Sequence, residues 1–275
     1  MDIWELFVAF ILGLVEGLTE FAPVSSTGHL IIVDDLLLHS KEIFTEPVAN
    51  TFKVVIQLGS ILAVVIVFKD RFMNLLGLKK GVSIADSRGR LSLSKVIVGL
   101  IPAGILGVLF EDYIDKHLFS VETVIIGLVI GAILMIIADR LHSGVIKMDD
   151  VDQISYKQAL GVGLFQCLGL WPGFSRSGST IAGGVLLGLS HRAASDFTFI
   201  MAVPIMLGAS AISLLKNWQY FTVDALPFFT VGFISAFLFA LLFIRFFLKL
   251  INTIKLLPFA IYRIILAGVI YFIFF

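Results

Sequence analysis

Two polar runs break sequence that otherwise belongs in lipid: Gly13 to Leu30 (GLVEGLTEFAPVSSTGHL) and Gly163 to Thr180 (GLFQCLGLWPGFSRSGST). They align without a gap at an offset of 150 residues. Gly13 matches Gly163, Leu18 matches Leu168, Ser25 matches Ser175 and Gly28 matches Gly178, while Glu16 meets Gln166, Phe21 meets Trp171 and Ser26 meets Arg176. An ionisable side chain in a bilayer core costs about 2.5–3.5 kcal/mol on insertion scales, so Glu16, Glu20 and His29 need partners or a water-filled cavity, and function is the default reading. The first copy carries acids and a histidine; the second carries Arg176 and the hydroxyls of Ser175, Ser177, Ser179 and Thr180. Complementary charge on paired copies points to one shared site.

The surrounding chain supports a membrane setting. Of 275 residues, 59% are hydrophobic and 15% charged, with a mean hydropathy of +1.03, which excludes an ordinary soluble domain. Net charge is zero from 20 basic and 20 acidic residues, so only the distribution of charge among loops is informative, and nucleic acid is not indicated as a partner. The single cysteine, Cys167, allows neither an intramolecular disulfide nor a multi-cysteine metal site and reads as a packing residue. The opening MDIWELF lacks the basic region and cleavage site of a signal peptide, so the first apolar run is expected to stay in the mature protein.

Ile3 to Val15 is apolar over 13 residues, short of the roughly 20 that span a hydrocarbon core, and Gly17, Pro23 and Gly28 interrupt its continuation. Such a segment is tolerated where its loose backbone is buried in protein or lines a cavity, so residues 3–38 are expected to form a re-entrant helix-loop-helix, and residues 158–190 a second. Full spans are expected at about 52–68, 96–110, 121–138, 197–215, 226–247 and 257–275. Lys53 is expected to snorkel and Gln57 to need a partner. The loop at 39–51 reads as solvated. Lys69 to Lys95 holds seven basic residues (Lys69, Arg71, Lys79, Lys80, Arg88, Arg90, Lys95) against Asp70 and Asp86 and is expected in the cytoplasm. EDYIDKH, Glu111 to His117, reads as an exterior loop. The chain then divides into a first repeat, 1–140, and a linker with the second repeat, 141–275. One re-entrant pair plus three spans per half is an odd number of crossings, so the second half inserts upside down. The expected fold is an all-α polytopic membrane protein built as an inverted-topology repeat, with hairpins entering from opposite faces to meet near the midplane.

Glu16 and Glu20, four apart, share a helix face and repel unless a divalent cation, Arg176 or a shared proton holds them; the alternative is a headgroup-level interface. His29, three residues after Ser26, is suited to acid/base or nucleophilic work, subject to geometry, or is a structural histidine. His39, His117, His142 and His191 fall in expected loops and read as facing water. PGFSRSGST combines a glycine-flanked turn, one arginine and four hydroxyls, as a phosphate-binding loop requires, since the guanidinium fork matches phosphate oxygens and glycine lets the backbone approach. The bland reading is a polar helix break. Arg245, Lys249 and Arg263 read as snorkelling ends or packing charges.

These residues resemble the undecaprenyl-diphosphatase family, the bacterial membrane phosphatases linked to bacitracin resistance. VEGLTEF matches its acidic motif at Glu16 and Glu20, PVSSTGH supplies Ser26, Thr27 and His29, and PGFSRSGST supplies Ser175 and Arg176. The resemblance covers nearly the whole chain. One departure is apolar Ala22, where the family pattern has a larger aliphatic residue; it bears on packing only. The resemblance implies removal of the terminal phosphate of undecaprenyl diphosphate, recycling the lipid carrier of cell-wall precursors. It also implies a divalent cation, Mg2+ or Ca2+, and work at the outer side of a bacterial plasma membrane. The metal is then expected at Glu16 and Glu20, and the substrate against Arg176, Ser175, Thr27, Ser177 and Gly173. Ser26 is the expected nucleophile with His29 or Glu20 as base, attack by His29 or by metal-activated water remaining open. The expected partners are a polyprenyl diphosphate and the surrounding membrane lipid; a homodimer is compatible with the sequence, which does not fix oligomeric state. The rival class is a secondary transporter or flippase, which shares inverted repeats and broken helices but has no use for a nucleophile beside a phosphate fork.

Overall fold

The computed structural model describes residues 2–43, 45–78, 91–118, 120–141, 148–220 and 222–275, and it is all-helical. The first half contributes α1 (Ile3–Thr19), α2 (Ser26–Leu30, continuing as a π-helical stretch Ile31–Leu38), α3 (Glu46–Val67), α4 (Leu93–His117) and α5 (Val121–Leu141). The second contributes α6 (Tyr156–Leu168), α7 (Arg176–Leu186), α8 (His191–Lys216), α9 (Leu226–Ile254) and α10 (Leu257–Phe274). Among the described residues six helices, α3 to α5 and α8 to α10, are long and apolar enough to cross a membrane, as in a polytopic membrane protein.

Local chemistry starts and stops these elements. Both shorter leading helices open on a capping box, Asp2 with Glu5 for α1 and Ser155 with Gln158 for α6, which satisfies backbone donors that lipid cannot. Proline stands in the first turn of α3, α9 and α10, where its missing N–H costs nothing. Several expected boundaries move. EDYIDKH is not a loop: no glycine or proline separates Phe110 from His117, so α4 runs on through it, with Lys116 and His117 in the last turn where the helix dipole favours cations. The expected solvated loop at 39–51 is largely helical, in a short turn Ser40–Ile43 and the start of α3. Lys69–Leu75 is helical as well. Lys79, Lys80, Arg88, Arg90 and Asp86 of the basic segment, and His142 and Lys147 of the linker, lie outside the described residues.

Lys53 is paired instead of snorkelling. Lys53 Nζ reaches Asp34 Oδ2 at 2.8 Å, and Asp34 Oδ1 also accepts the Ser40 N–H. His191 does not face water: it is buried, with Nε2 2.7 Å from Asp139 Oδ1, while Asp139 Oδ2 accepts the Leu256 and Leu257 N–H groups ahead of α10.

The halves interlock. α1 packs on α9 of the second half and α6 on α4 of the first, while α3 lies against α8 and α5 against α10. Both hairpin contacts are glycine crossings: a Cβ on Gly13 would overlap the Gly232 carbonyl, and one on Gly163 would stand 2.9 Å from the Gly99 carbonyl carbon and 3.1 Å from its Cα. Small residues let helix backbones approach where no hydrophobic force between lipid-solvated helices drives association. Replacing Gly163 by leucine is therefore expected to lower the thermal midpoint in detergent, at a cost of about 1–3 kcal/mol or more for overpacking against backbone. Gly208→Ala, inside α8 where the added Cβ meets nothing beyond its own stretch of helix within 4 Å, should not lower it.

Candidate active site

α1 ends at Thr19 with Glu20 as its cap, and after four residues the chain turns back through Ser25 into α2; α6 ends at Leu168 and turns back through Ser175 into α7. The two turns share an uncommon backbone. Ser25 has φ 70° and ψ 101°, and Ser175 has φ 73° and ψ 113°. Left-handed φ at a residue with a Cβ costs about 1–3 kcal/mol and persists only where the surroundings over-determine it. Each serine caps the helix it begins, accepting from the Gly28 N–H at 3.4 Å and from the Gly178 N–H at 3.1 Å. The turn presents the next residue, Ser26 or Arg176, at the first position of a helix.

Those two residues meet on one carboxylate. Glu20 Oε2 accepts from Ser26 Oγ at 2.7 Å, and Glu20 Oε1 lies 3.3 Å from Arg176 Nη2. The Arg176 guanidinium also lies 6.0 Å from the centre of the Phe21 ring. Ser177, expected on the substrate, instead stitches the hairpins together: it is buried and its hydroxyl donates to the Ala22 carbonyl at 2.9 Å. Between the turns opens a cleft of about 210 Å³, lined by Glu20, Ser25, Ser26, Thr27, Gly173, Ser175 and Arg176. Its remaining wall includes residues the sequence did not single out as site residues, notably Gln57 of α3, Met206 of α8 and Trp171, whose indole N–H donates to the Thr123 carbonyl.

Besides Ser177, two expected site residues, Glu16 and His29, stand outside that lining. Glu16, one turn before Glu20 on α1, is fully buried beside the Glu20 carboxyl group, and no N–H or hydroxyl of the protein donates to either of its carboxylate oxygens. Its counterpart Gln166 is likewise buried with both amide atoms unpartnered. His29 is turned away from Ser26: Nδ1 lies 2.8 Å from the Ser25 carbonyl and Nε2 2.6 Å from the Tyr262 hydroxyl.

Arg263 does not snorkel; of the two expected readings the structure favours a charge packed inside the protein. It is fully buried, and Nη2 donates to the Gly127, Gly173 and Phe174 carbonyls at 3.1, 2.9 and 2.8 Å. It thus grips the second turn immediately before Ser175. Gly173, at φ 87°, passes so close to the Val124 backbone that no side chain fits.

Two carboxylates, one of them receiving no N–H or hydroxyl from the protein, suit a hard divalent cation. Among the described residues no third histidine, cysteine or acid joins them, so substrate phosphate and water would complete the shell, as is common for Mg2+. Arg176 Nη1, buried and unpartnered, is a free donor beside them.

The family model for the bacitracin resistance protein BacA matches residues 9–269. The chain belongs to that family. It is 73% identical over its whole length to an undecaprenyl-diphosphatase of Geobacillus sp. (strain WCH70), covering all of that protein. It is 70% identical, again over the full length of both chains, to an undecaprenyl-diphosphatase of Anoxybacillus flavithermus, and 67% identical over 267 residues, 97% of each chain, to one of Bacillus subtilis (strain 168).

Proposed function

We propose that this chain is a membrane phosphatase that hydrolyses undecaprenyl diphosphate to undecaprenyl phosphate and inorganic phosphate. The observation that carries the reading is the single carboxylate of Glu20, which holds a serine hydroxyl from one hairpin and an arginine from the other. A transporter or flippase could use the cleft but would give the Ser26–Glu20 pair nothing to do.

The geometry suits nucleophilic displacement. Ser26 Oγ attacks the terminal phosphorus as its proton passes to Glu20 Oε2, already at hydrogen-bond distance. The bond from that phosphorus to the bridging oxygen breaks, and undecaprenyl phosphate leaves. Arg176 spreads positive charge over the phosphoryl oxygens, and the N-terminus of α7 adds its dipole. Water then cleaves the phosphoserine: its oxygen stays on phosphorus, one of its protons returns to Ser26 Oγ, and the proton on Glu20 leaves with the products. A divalent cation at Glu16 and Glu20 would supply further charge neutralisation for the diphosphate. Thr27, Ser175 and Gly173 line the cleft where the phosphates would lie.

The chain is further proposed to be an inverted repeat whose hairpins re-enter from opposite faces of the plasma membrane, with the cleft open to its outer side. The matched Ser25 and Ser175 turns and the exchanged packing of α1 on α9 and α6 on α4 support this arrangement.

The test is phosphate release by the purified protein from a polyprenyl diphosphate, with and without chelator. Release that stops on chelation and resumes with Mg2+ or Ca2+ is expected; a protein that releases no phosphate under any of these conditions would contradict the reading. Glu16→Gln keeps the volume and removes the charge, and should raise the metal concentration for half-maximal activity by about tenfold or more. An unchanged metal requirement would remove Glu16 from the cation site.

A further inference from the structure

The Ser25 carbonyl, just ahead of Ser26, receives from the backbone only a long 3.4 Å bond from the His29 N–H, and the Ser25 side chain is occupied with the Gly28 N–H. His29 holds it. A carbonyl can only accept, so the 2.8 Å contact requires the proton on Nδ1, and in the neutral ring Nε2 must then accept. The donor comes from α10: the Tyr262 hydroxyl lies 2.6 Å from Nε2, and the two rings stack 5.5 Å apart at an interplanar angle of 12°. Both imidazole nitrogens are thereby used away from Ser26, whose hydroxyl is bonded to Glu20. Tyr262 is 44% exposed, so a phenyl ring would serve for packing; the hydroxyl is the part with a structural task.

We propose that Tyr262 is a positioning residue for phosphate transfer: through His29 it locks one imidazole tautomer, fixes the Ser25 carbonyl and so orients Ser26 toward Glu20. The proposal rests on the assignment of Ser26, Glu20 and Arg176 to the reaction. The second turn offers a parallel, since its carbonyls are gripped by Arg263, the next residue along α10. One turn of one helix steadies a strained serine in each hairpin.

Tyr262→Phe keeps the stacked ring and removes only the donor. With a polyprenyl diphosphate its kcat should fall about five- to tenfold, the size of one lost neutral hydrogen bond, while KM stays within about twofold. Because Tyr262 acts through His29, adding Tyr262→Phe to His29→Ala should cost nothing further. In 15N-histidine NMR spectra of the detergent-solubilised wild type, His29 should show a single tautomer protonated at Nδ1, and the variant should show averaging. Wild-type kcat in Tyr262→Phe, additive losses in the double variant, or a His29 protonated at Nε2 in the wild type would each overturn the proposal. Should Ser26→Ala or Arg176→Ala retain activity, the underlying site assignment fails instead, and the NMR result still decides whether Tyr262 governs His29.

Discussion

Arg176→Lys should lower kcat/KM by roughly one to two orders of magnitude, and Arg176→Ala should fall further. The guanidinium does two jobs with different nitrogens: Nη2 faces Glu20 Oε1, and Nη1, buried without a partner, is left for a ligand. Lysine keeps one positive charge but cannot present a planar fork in two directions. Losing one charge-assisted hydrogen bond costs about 1.5–3 kcal/mol, which at about 1.4 kcal/mol per tenfold gives the loss expected for lysine. Alanine also leaves Glu20 without its cation in a site where the carboxylate side chain is only 10% exposed. Steady-state kinetics with a short-chain polyprenyl diphosphate make the comparison. Near-normal values for both variants would mean that the second turn is structural, and weight would return to transport.

Ser26→Ala should remove essentially all turnover, a loss of at least about a thousandfold in kcat, since deleting a nucleophile leaves only binding and electrostatics. Binding should survive. Arg176 and the pair Glu16 and Glu20 remain, and alanine at the first position of α2 is compatible with the helix, so substrate affinity measured directly should change little. Thr27 offers a contrast: it lines the cleft where the phosphates would lie, but no hydrogen bond joins its hydroxyl to Glu20 among the described residues, so Thr27→Ala should weaken substrate binding and raise KM more than it lowers kcat. A Ser26→Ala protein with near-normal turnover would transfer the attack to water or to His29.

Much of this arrangement can be read from the chain because its causes are local or repeated. Gly17, Pro23 and Gly28 announce the first break, and the offset of 150 announces the second. The opposite charges on the two copies foretell a contact that the structure shows between Glu20 and Arg176. What the sequence hides is tertiary. EDYIDKH is polar enough to look like a loop, yet nothing in it stops a helix. His191 and Lys53 look solvated until Asp139 and Asp34, distant or unremarkable in sequence, come to meet them. Ser177 looks like one more phosphate-facing hydroxyl until the Ala22 carbonyl of the other hairpin claims it. Arg263 offered a signal that snorkelling obscured: it lies six residues into α10, about 9 Å from the helix end, deep enough to require internal acceptors. Those acceptors are backbone carbonyls, which no sequence pattern marks.

Covalent transfer to Ser26, inside a site shared by both hairpins, is tested most directly by a rapid acid quench. The purified protein is mixed with a polyprenyl diphosphate labelled in its terminal phosphate, stopped within a single turnover and digested to peptides. Label bound to Ser26, absent from Ser26→Ala and strongly reduced in Arg176→Ala, is the predicted result. Free labelled phosphate appearing in the first turnover with no protein-bound label, or label recovered on His29 in a parallel alkaline quench, under which a phosphohistidine survives, would contradict it.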